Sequence, residues 1–199
     1  MELSHAIEVR IGGRGEDRAA HFQCQGRHYF VVADGAGGVG AGAFAADCVV
    51  EAAAKLARGE YGSPAEALMN ADLKLSGHGC MSTGVIVEIG NGHLHGASCG
   101  DSVAWLIHKD SVTEITEHQE RKPLLGAGGR PVEFKSTPFV GTLLVASDGL
   151  VKYAPRIAIV SASLGENILS SANVLVELPR MRSGNYPDDV AVILTRANV

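Results

Sequence analysis

The chain has 199 residues, of which 46% are hydrophobic and 20% are charged, and its 17 basic and 22 acidic residues give a net charge of −5. We expect residues 1–199 to form one globular domain, because this length allows a sizeable core. The acidic balance and the lack of a basic block argue against electrostatic binding to nucleic acid or to an anionic membrane.

The cysteines and the first residues indicate the compartment. The four cysteines are widely spaced and form no C-x-x-C pair, which argues against structural zinc and against a disulfide scaffold: Cys24, Cys48, Cys80 and Cys99. The first residues lack a signal-peptide pattern, and no apolar stretch reaches the ~18 to 20 residues that span a bilayer. We therefore expect a cytoplasmic protein.

The first half of the chain predicts strands followed by two helices. A β-like run at residues 28–33 ends in Asp34 and a glycine-rich loop, and an alanine-rich stretch from about residue 42 to 58 has helical spacing. Ser63, Pro64 and Glu66 have the spacing of a capping box with proline at the first helical position. This pattern predicts a second helix that ends near residue 77.

The second half predicts mainly strands. Short β-like runs between residues 82 and 116 are separated by turn residues and predict an antiparallel meander. A loop at 117–129 precedes strands near 132–135 and 142–146, a helix between about 166 and 182, and a final strand. Because strands and helices come in groups, we predict an α+β fold, a four-layer αββα sandwich of two mainly antiparallel sheets flanked by helices.

Aspartates recur at the ends of hydrophobic runs. Asp34 follows YFVVA, Asp101 follows GASCG, Asp148 follows LLVAS, and Asp188 stands just before VAVIL. A carboxylate at a strand end adds little to a core but can aim oxygen ligands at one point, and Mg²⁺ and Mn²⁺ prefer such ligands. Two such ions roughly 3.5 to 4 Å apart can clamp a phosphoryl group for in-line displacement. The pattern predicts a metal site for phosphate ester hydrolysis.

Five segments resemble, in order, the motifs of the metal-dependent type 2C protein phosphatases: VVADGAGG (31–38), STG (82–84), CGDS (99–102), VASDGL (145–150) and DDVAVIL (188–194). One Asp-Gly alone is a common turn dipeptide, so the resemblance depends on the ordered set, which covers residues 17–194. It implies a β-sandwich flanked by helices and two or three Mn²⁺ or Mg²⁺ ions. The implied reaction is hydrolysis of phosphoserine or phosphothreonine by metal-bound water.

The resemblance also implies a role for each ligand. Asp34 looks like the carboxylate that bridges two metal ions, and the carbonyl of Gly35 looks like a ligand of one of them. Asp148 and Asp188 look like ligands of the other ion, and Asp101 of a third, more weakly held ion. We expect Asp34 and Asp148 to be essential for catalysis through these ions.

The phosphate-binding residue departs from the family pattern. Glu16 and Asp17 resemble the family's N-terminal acidic pair, which acts through metal-bound water; an exposed acidic pair before a strand is the alternative. The family's arginine should lie five positions before Asp17, where this chain has Gly12. Arg14 is our candidate replacement and Arg10 the alternative, since a guanidinium can bind phosphate in bidentate fashion.

The region between Asp101 and Asp148 is short, and residues 117–129 are the predicted remnant of a flap over the cleft. This resembles the small branch of the family that dephosphorylates regulatory proteins in bacterial signalling. We therefore expect a phosphorylated protein substrate and a regulatory protein partner. Two alternatives stay open: a catalytically weak, phosphatase-like binding module, which the glycine at position 12 motivates, and a small-molecule phosphatase.

Overall fold

A computed structural model describes residues 2–38 and 40–197, which form two β-sheets with helices on their outer faces. Among these residues, no helix combines the length and apolarity needed to cross a membrane. The elements follow in this order: β1 (Leu3–Arg10), β2 (Asp17–Cys24), β3 (Arg27–Ala36), α1 (Ala41–Ala57), α2 (Pro64–Leu75), β4 (Met81–Ser82), β5 (Gly84–Gly90), β6 (His93–Cys99), β7 (Val103–Ile107), β8 (Val112–Glu114), β9 (Val132–Pro138), β10 (Thr142–Ala146), α3 (Asp148–Val151), α4 (Arg156–Ser163), α5 (Ile168–Glu177) and β11 (Val190–Ala197).

The two sheets are antiparallel throughout their described pairings. One has the strand order β1-β11-β10-β7-β8, and the other has the order β2-β3-β5-β6-β9 with the short β4 paired to β3. The last strand, β11, lies between β1 and β10, so the chain ends inside the sheet that it began. The predicted α+β sandwich of two antiparallel sheets flanked by helices is confirmed.

Three hydrophobic clusters separate the four layers. Val31 faces α1 and α2, whereas its neighbour Phe30 faces the opposite sheet, as the alternation of side chains along a strand requires. Leu143 and Leu144 alternate in the same way between the sheet interface and the cluster under α3, α4 and α5. Each sheet is therefore apolar on both faces, which leaves the strand ends as the place for polar chemistry.

Helix α2 begins as the sequence predicts. The Ser63 hydroxyl accepts a hydrogen bond from the backbone N–H of Glu66 at 3.2 Å, and the Glu66 carboxylate accepts one from the N–H of Gly62 at 2.6 Å. The first bond satisfies an N–H group that the helix start would leave unpaired, and the second ties the residue before the N-cap to the first turn of the helix. The four cysteines are free, and three of them are buried.

The predicted meander is wrong in one respect. Strands β5 and β6 belong to one sheet and β7 and β8 to the other, so the chain crosses between the sheets at Gly100 and Asp101 instead of making a hairpin turn. Gly100 has a φ of 103°, a left-handed conformation that favours glycine. Helix α4 was not predicted, and α5 ends at Glu177, earlier than expected.

The segment 117–129, predicted to be a flap, is pinned to the body of the protein. Asp72 on α2 accepts hydrogen bonds from the backbone N–H groups of Gly126, Gly128 and Gly129 at 2.7, 3.0 and 3.1 Å. Leu125 is buried and makes two 3.0 Å backbone hydrogen bonds with Ser82. The segment is therefore a fixed part of the fold, and a flap is not what the structure supports.

Candidate metal centre

The hairpin of β2 and β3 brings two acidic residues face to face. Asp17, the first residue of β2, is paired in register with Asp34 on β3, and both lie on the strand faces that carry Ala19 and Val32 into the space between the sheets. Like charges directly opposite each other destabilise a sheet. Asp17 is 4% exposed, and Glu16 beside it is 7% exposed, so the alternative of an exposed acidic pair is wrong.

Two further aspartates arrive from the other sheet. Asp148 begins α3 directly after β10, and Asp188 lies just before β11, the strand that pairs with β10. The Ser147 hydroxyl accepts a 2.9 Å hydrogen bond from the N–H of Ala191 and joins the two strand ends. A Cβ atom at Gly149 would lie 1.9 Å from the backbone carbonyl oxygen of Asp189, the residue after Asp188. The two turns therefore pack backbone against backbone, which holds both carboxylates at one end of the sandwich.

The crowding of carboxylates raises their pKa values. Burial raises the pKa of Asp17 to about 7. Burial also raises the pKa of Asp34 to about 9, and the neighbouring carboxylates of Asp17 and Asp148 contribute to this shift. The pKa of Asp148 is raised by burial and by the nearby carboxylate of Asp101. A cation bound among these groups would favour their charged forms and reverse the shifts.

Glycines at the end of β3 let the backbone approach the site. A Cβ atom at Gly35 would lie 2.0 Å from the carbonyl oxygen of Gly42 at the start of α1, and a Cβ at Gly42 would lie 2.5 Å from the carboxyl group of Glu16. The helix start therefore packs directly over the strand end and encloses Glu16. Among the described residues, Glu16 Oε1 and Asp17 Oδ2 are buried without a hydrogen-bond partner.

These orphaned oxygens fit a divalent cation and its waters. Among residues 2–38 and 40–197, no group of three or more His, Cys, Asp or Glu side chains is arranged to hold a metal ion by itself. Mg²⁺ commonly binds through one or two carboxylates and keeps several waters, so side chains need not complete its coordination. Hard carboxylate oxygens without hydrogen-bond partners are the donors that such an ion prefers.

Asp189 is the residue that the sequence reasoning missed. Its Oδ1 accepts hydrogen bonds from the N–H groups of Gly12 and Gly13 at 2.9 and 2.7 Å, and its Oδ2 accepts one from Glu16 at 2.7 Å. Although burial opposes it, these bonds hold the pKa of Asp189 below its ordinary value. The signal in the sequence is the glycine-rich loop at 11–15, whose N–H groups need acceptors.

The candidate arginines have different surroundings. A Cβ atom at Gly12 would lie 2.1 Å from the carbonyl oxygen of Asp188, so a side chain there requires the backbone to move. Arg10 forms an ion pair with Glu177 on α5 and also hydrogen-bonds to α5 through an asparagine. Arg14 is exposed, and its Nη1 donates a 2.9 Å hydrogen bond to a carbonyl of the glycine-rich loop after β3. Of the two, Arg14 is the one that lines the acidic cleft.

The acidic cleft has a volume of about 310 Å³ and is lined by Gly13, Arg14, Glu16, Asp34, Gly35, Ala36, Gly37, Asp188 and Asp189. Asp17 and Asp148 do not line this cleft, but their carboxylates raise the pKa of Asp34, and the carboxylate of Asp101 raises the pKa of Asp148. A larger groove of about 610 Å³ runs between the edge strands β8 and β9. Its lining is mainly apolar with mixed charges, so the acidic cleft is the better candidate for phosphate chemistry.

The sandwich with aspartates at one end of its two sheets has the architecture of the metal-dependent type 2C phosphatases, as the sequence motifs predicted. The chain belongs to the family described as stage II sporulation protein E (SpoIIE), whose match covers residues 25–198. No curated protein matches the sequence significantly.

Solved structures of bacterial phosphatases share the fold. The serine/threonine phosphatase PstP/Ppp of Mycobacterium tuberculosis is 22% identical with a TM-score of 0.83, and the match covers 99% of both chains. The catalytic domain of PstP in complex with two manganese ions is 23% identical with a TM-score of 0.81, covering 98% of this chain and 97% of that one. Stp1 of Staphylococcus aureus is 20% identical with a TM-score of 0.83, covering 100% and 96%.

Proposed function

We propose that the protein is a metal-dependent serine/threonine phosphatase that hydrolyses phosphoserine or phosphothreonine in a cytoplasmic phosphoprotein, at a centre of two Mn²⁺ or Mg²⁺ ions. One observation carries the proposal: carboxylates from strand ends of both sheets converge on one cleft, where Asp17 lies opposite Asp34, Asp188 lines the same cleft, and buried carboxylate oxygens lack hydrogen-bond partners. The likeness to the PstP catalytic domain, whose structure holds two manganese ions, supports the same metal.

We assign some of these residues to metal binding and Asp17 to the binding of metal-coordinated water. Asp34 and the Gly35 carbonyl, together with Asp148 and Asp188, would hold the two ions, and Asp101 would hold a third, more weakly bound ion. Asp17, with its orphaned buried oxygen, suits a hydrogen bond from a coordinated water. When bound, such ions polarise water for in-line attack and neutralise the charge of the phosphoryl group.

The phosphate would be held by Arg14 at the mouth of the cleft. The Arg14 guanidinium is exposed and has donors left after its bond to the glycine-rich loop, so it can grip phosphate oxygens. In the reaction, the oxygen of water bonds to phosphorus as the bond to the serine or threonine oxygen breaks. That oxygen takes up a proton, and the products are inorganic phosphate and the free hydroxyl side chain.

The substrate is proposed to be a folded regulatory protein that docks around the cleft. A cleft of about 310 Å³ accommodates a phosphorylated side chain and little of its flanking chain. Recognition would then depend on the protein surface around it, and a regulatory partner could act on the same surface. The bacterial signalling role rests on the family resemblance.

A second candidate is a phosphatase-like module that binds a phosphoprotein but turns it over weakly. The observation that favours it is the backbone contact at Gly12, which excludes an arginine at the position where the family usually has one. Without a guanidinium on the phosphate, ground-state and transition-state binding would both weaken.

The first experiment compares hydrolysis of para-nitrophenyl phosphate and a phosphothreonine peptide in Mn²⁺ and in EDTA. Asp148→Asn should abolish the Mn²⁺-dependent rate, whereas Asp110→Asn, at an exposed turn between β7 and β8, should retain it. Mn²⁺-dependent turnover that Asp148→Asn leaves intact would refute the assigned site. Measurable Mn²⁺ binding without turnover would favour the binding module.

A further inference from the structure

One threonine, Thr83, makes hydrogen bonds to both the backbone N–H and the backbone carbonyl of Asp34. The β3–β5 register, with Val32 opposite Val85, places Thr83 opposite Asp34. The N–H of Thr83 donates to the Asp34 carbonyl at 2.8 Å, and the N–H of Asp34 donates to the Thr83 hydroxyl oxygen at 3.0 Å. A regular ladder would pair that second N–H with a backbone carbonyl. Here a side-chain oxygen takes its place.

The Ser82 hydroxyl bonds to the backbone carbonyls of both Thr83 and Asp34. The Ser82 hydroxyl lies 2.7 Å from the carbonyl oxygen of Thr83 and 3.0 Å from that of Asp34. The Thr83 carbonyl, which does not accept the Asp34 N–H, is therefore satisfied by the Ser82 hydroxyl. The strand is interrupted between β4 and β5, but this carbonyl is not left unpaired. The interruption lies directly opposite the aspartate that the site depends on most.

The Thr83 hydroxyl also connects Asp34 to the turn that carries Asp101. Thr83 Oγ1 and Ser102 Oγ are 2.7 Å apart, and both residues are buried, at 2% and 0% exposure. The carbonyl of Ser102 in turn accepts a 2.8 Å hydrogen bond from the side-chain amide of Gln119. A buried hydroxyl pair costs more to desolvate than an apolar pair of the same shape, so burial alone does not favour these residues.

We propose that Thr83, together with Ser102, is a positioning residue that fixes the Asp34 backbone in the orientation needed for metal binding and couples it to Asp101. The inference rests on the proposed function, because it assigns Thr83 a role that acts through Asp34. Groups that orient metal ligands typically change metal affinity or activity by roughly 10- to 100-fold when they are removed. Thr83 holds the ligand through its backbone, so its loss should be felt even though Thr83 binds no ion.

The test uses Thr83→Val, which keeps the shape and removes the hydroxyl, and Thr83→Ser, which restores it. The matched control is Thr195→Val, because Thr195 is also fully buried and its hydroxyl donates to the Ser4 carbonyl at 3.0 Å. Two quantities are measured: the Kd for Mn²⁺ by calorimetry, and the hydrogen-exchange rate of the Asp34 amide by NMR without metal. Thermal stability is recorded for every variant.

Thr83→Val should weaken Mn²⁺ binding by roughly 10-fold or more and speed exchange of the Asp34 amide, whereas Thr83→Ser should restore both. Thr195→Val should lose stability without changing either quantity. If Thr83→Val does not fold, Ser102→Ala, which leaves both direct bonds to Asp34, should still weaken Mn²⁺ binding. Unchanged affinity and unchanged exchange in Thr83→Val would overturn the proposal, even with an active enzyme. If only Ser102→Ala folds, an unchanged Mn²⁺ affinity in that variant would do so. Weaker Mn²⁺ binding in a protein without phosphatase activity would support the positioning role and refute the proposed function instead.

Discussion

The carboxylate of Asp189 accepts a 2.7 Å hydrogen bond from the backbone N–H of Glu16, 173 residues earlier in the chain. The start of the last strand therefore orders the loop that carries the N-terminal acidic pair. Its neighbour Asp188 also lines the cleft, but the loop at 11–15 donates its hydrogen bonds to Asp189. Two adjacent aspartates thus have separate tasks, one structural and one directed at the proposed metal.

Asp189→Asn should destabilise the protein by about 2 kcal/mol, because the amide cannot accept all the N–H groups that the carboxylate serves. Asp188→Asn should leave the free energy of unfolding nearly unchanged and abolish Mn²⁺-dependent turnover. Urea unfolding without metal and phosphatase assays on both variants check this pair. Equal losses of stability would mean that the two roles are not separate.

Asp34→Asn should lower activity far more than Asp101→Asn, by about 100-fold or more against less than about 10-fold. The reason is that Asp34 lines the cleft and interacts with carboxylates of both sheets, whereas Asp101 is not among the residues that line the cleft. The measurement is kcat for the phosphothreonine peptide at saturating Mn²⁺. Similar losses in the two variants would contradict the assignment of Asp34 as the bridging ligand.

Arg14→Ala should raise KM for the phosphopeptide about 10-fold with a smaller effect on kcat, because the guanidinium contributes mainly ground-state binding. Arg10→Ala is the matched control, since Arg10 is held by Glu177 on α5. Steady-state kinetics on both variants test this. An increase in KM confined to Arg10→Ala would make Arg10 the phosphate clamp.

The contribution of His21 to the free energy of unfolding should rise as the pH increases from about 4 to about 6.5, whereas the raised pKa values of Asp17 and Asp34 contribute with the opposite sign in the metal-free protein. Burial lowers the pKa of His21 from 6.5 to about 4, and the neighbouring rings of His5 and His28 add to the shift. The unfolded chain therefore takes up a proton in this range before the folded protein does, so acid favours unfolding. His21→Gln should reduce the change by about 1 kcal/mol, allowing for solvent screening.

The control for this pH effect is His93→Gln, which changes an exposed histidine of β6. Denaturant unfolding at several pH values gives the free energy for each protein. Parallel pH profiles for His21→Gln and the unmodified protein would show that the histidine cluster does not cause the dependence.

Asp72→Ala should destabilise the protein by about 2 to 3 kcal/mol and expose residues 117–129 to protease, since three backbone N–H groups lose their acceptor. Asp47→Ala removes a partly exposed ion pair with Arg18 and should cost less than about 1 kcal/mol. Unfolding curves and limited proteolysis provide the measurements. An unchanged cleavage pattern would mean that other contacts hold the segment.

The layers and the aspartate-bearing strand ends could be predicted because local pattern determines them. The run before Asp34 is apolar on both faces, as expected for a strand between helices and a second sheet. The capping box at Ser63 likewise depends on residues within four positions. Helix α4 was missed because its start lacks a capping side chain, and Pro155 occupies the N-cap position.

The remaining features depend on contacts between distant residues. The sequence does not reveal whether Asp188 or Asp189 binds the loop at 11–15, since the difference comes from how the start of β11 meets that loop. The pinning of residues 126–129 by Asp72 joins segments 54 or more residues apart. Composition at 117–129 is that of a loop in either case, so a flap and a fixed segment look alike before folding.

The pinned segment at 117–129 has a consequence for recognition. An enzyme that closes a loop over its substrate uses part of the binding energy to order that loop. In this protein the ordering is completed during folding, and Leu125 is already joined to Ser82, the neighbour of Thr83. For the proposed phosphoprotein substrate, residues 125–129 would therefore add to selectivity as a preformed surface and not by closing over the bound side chain.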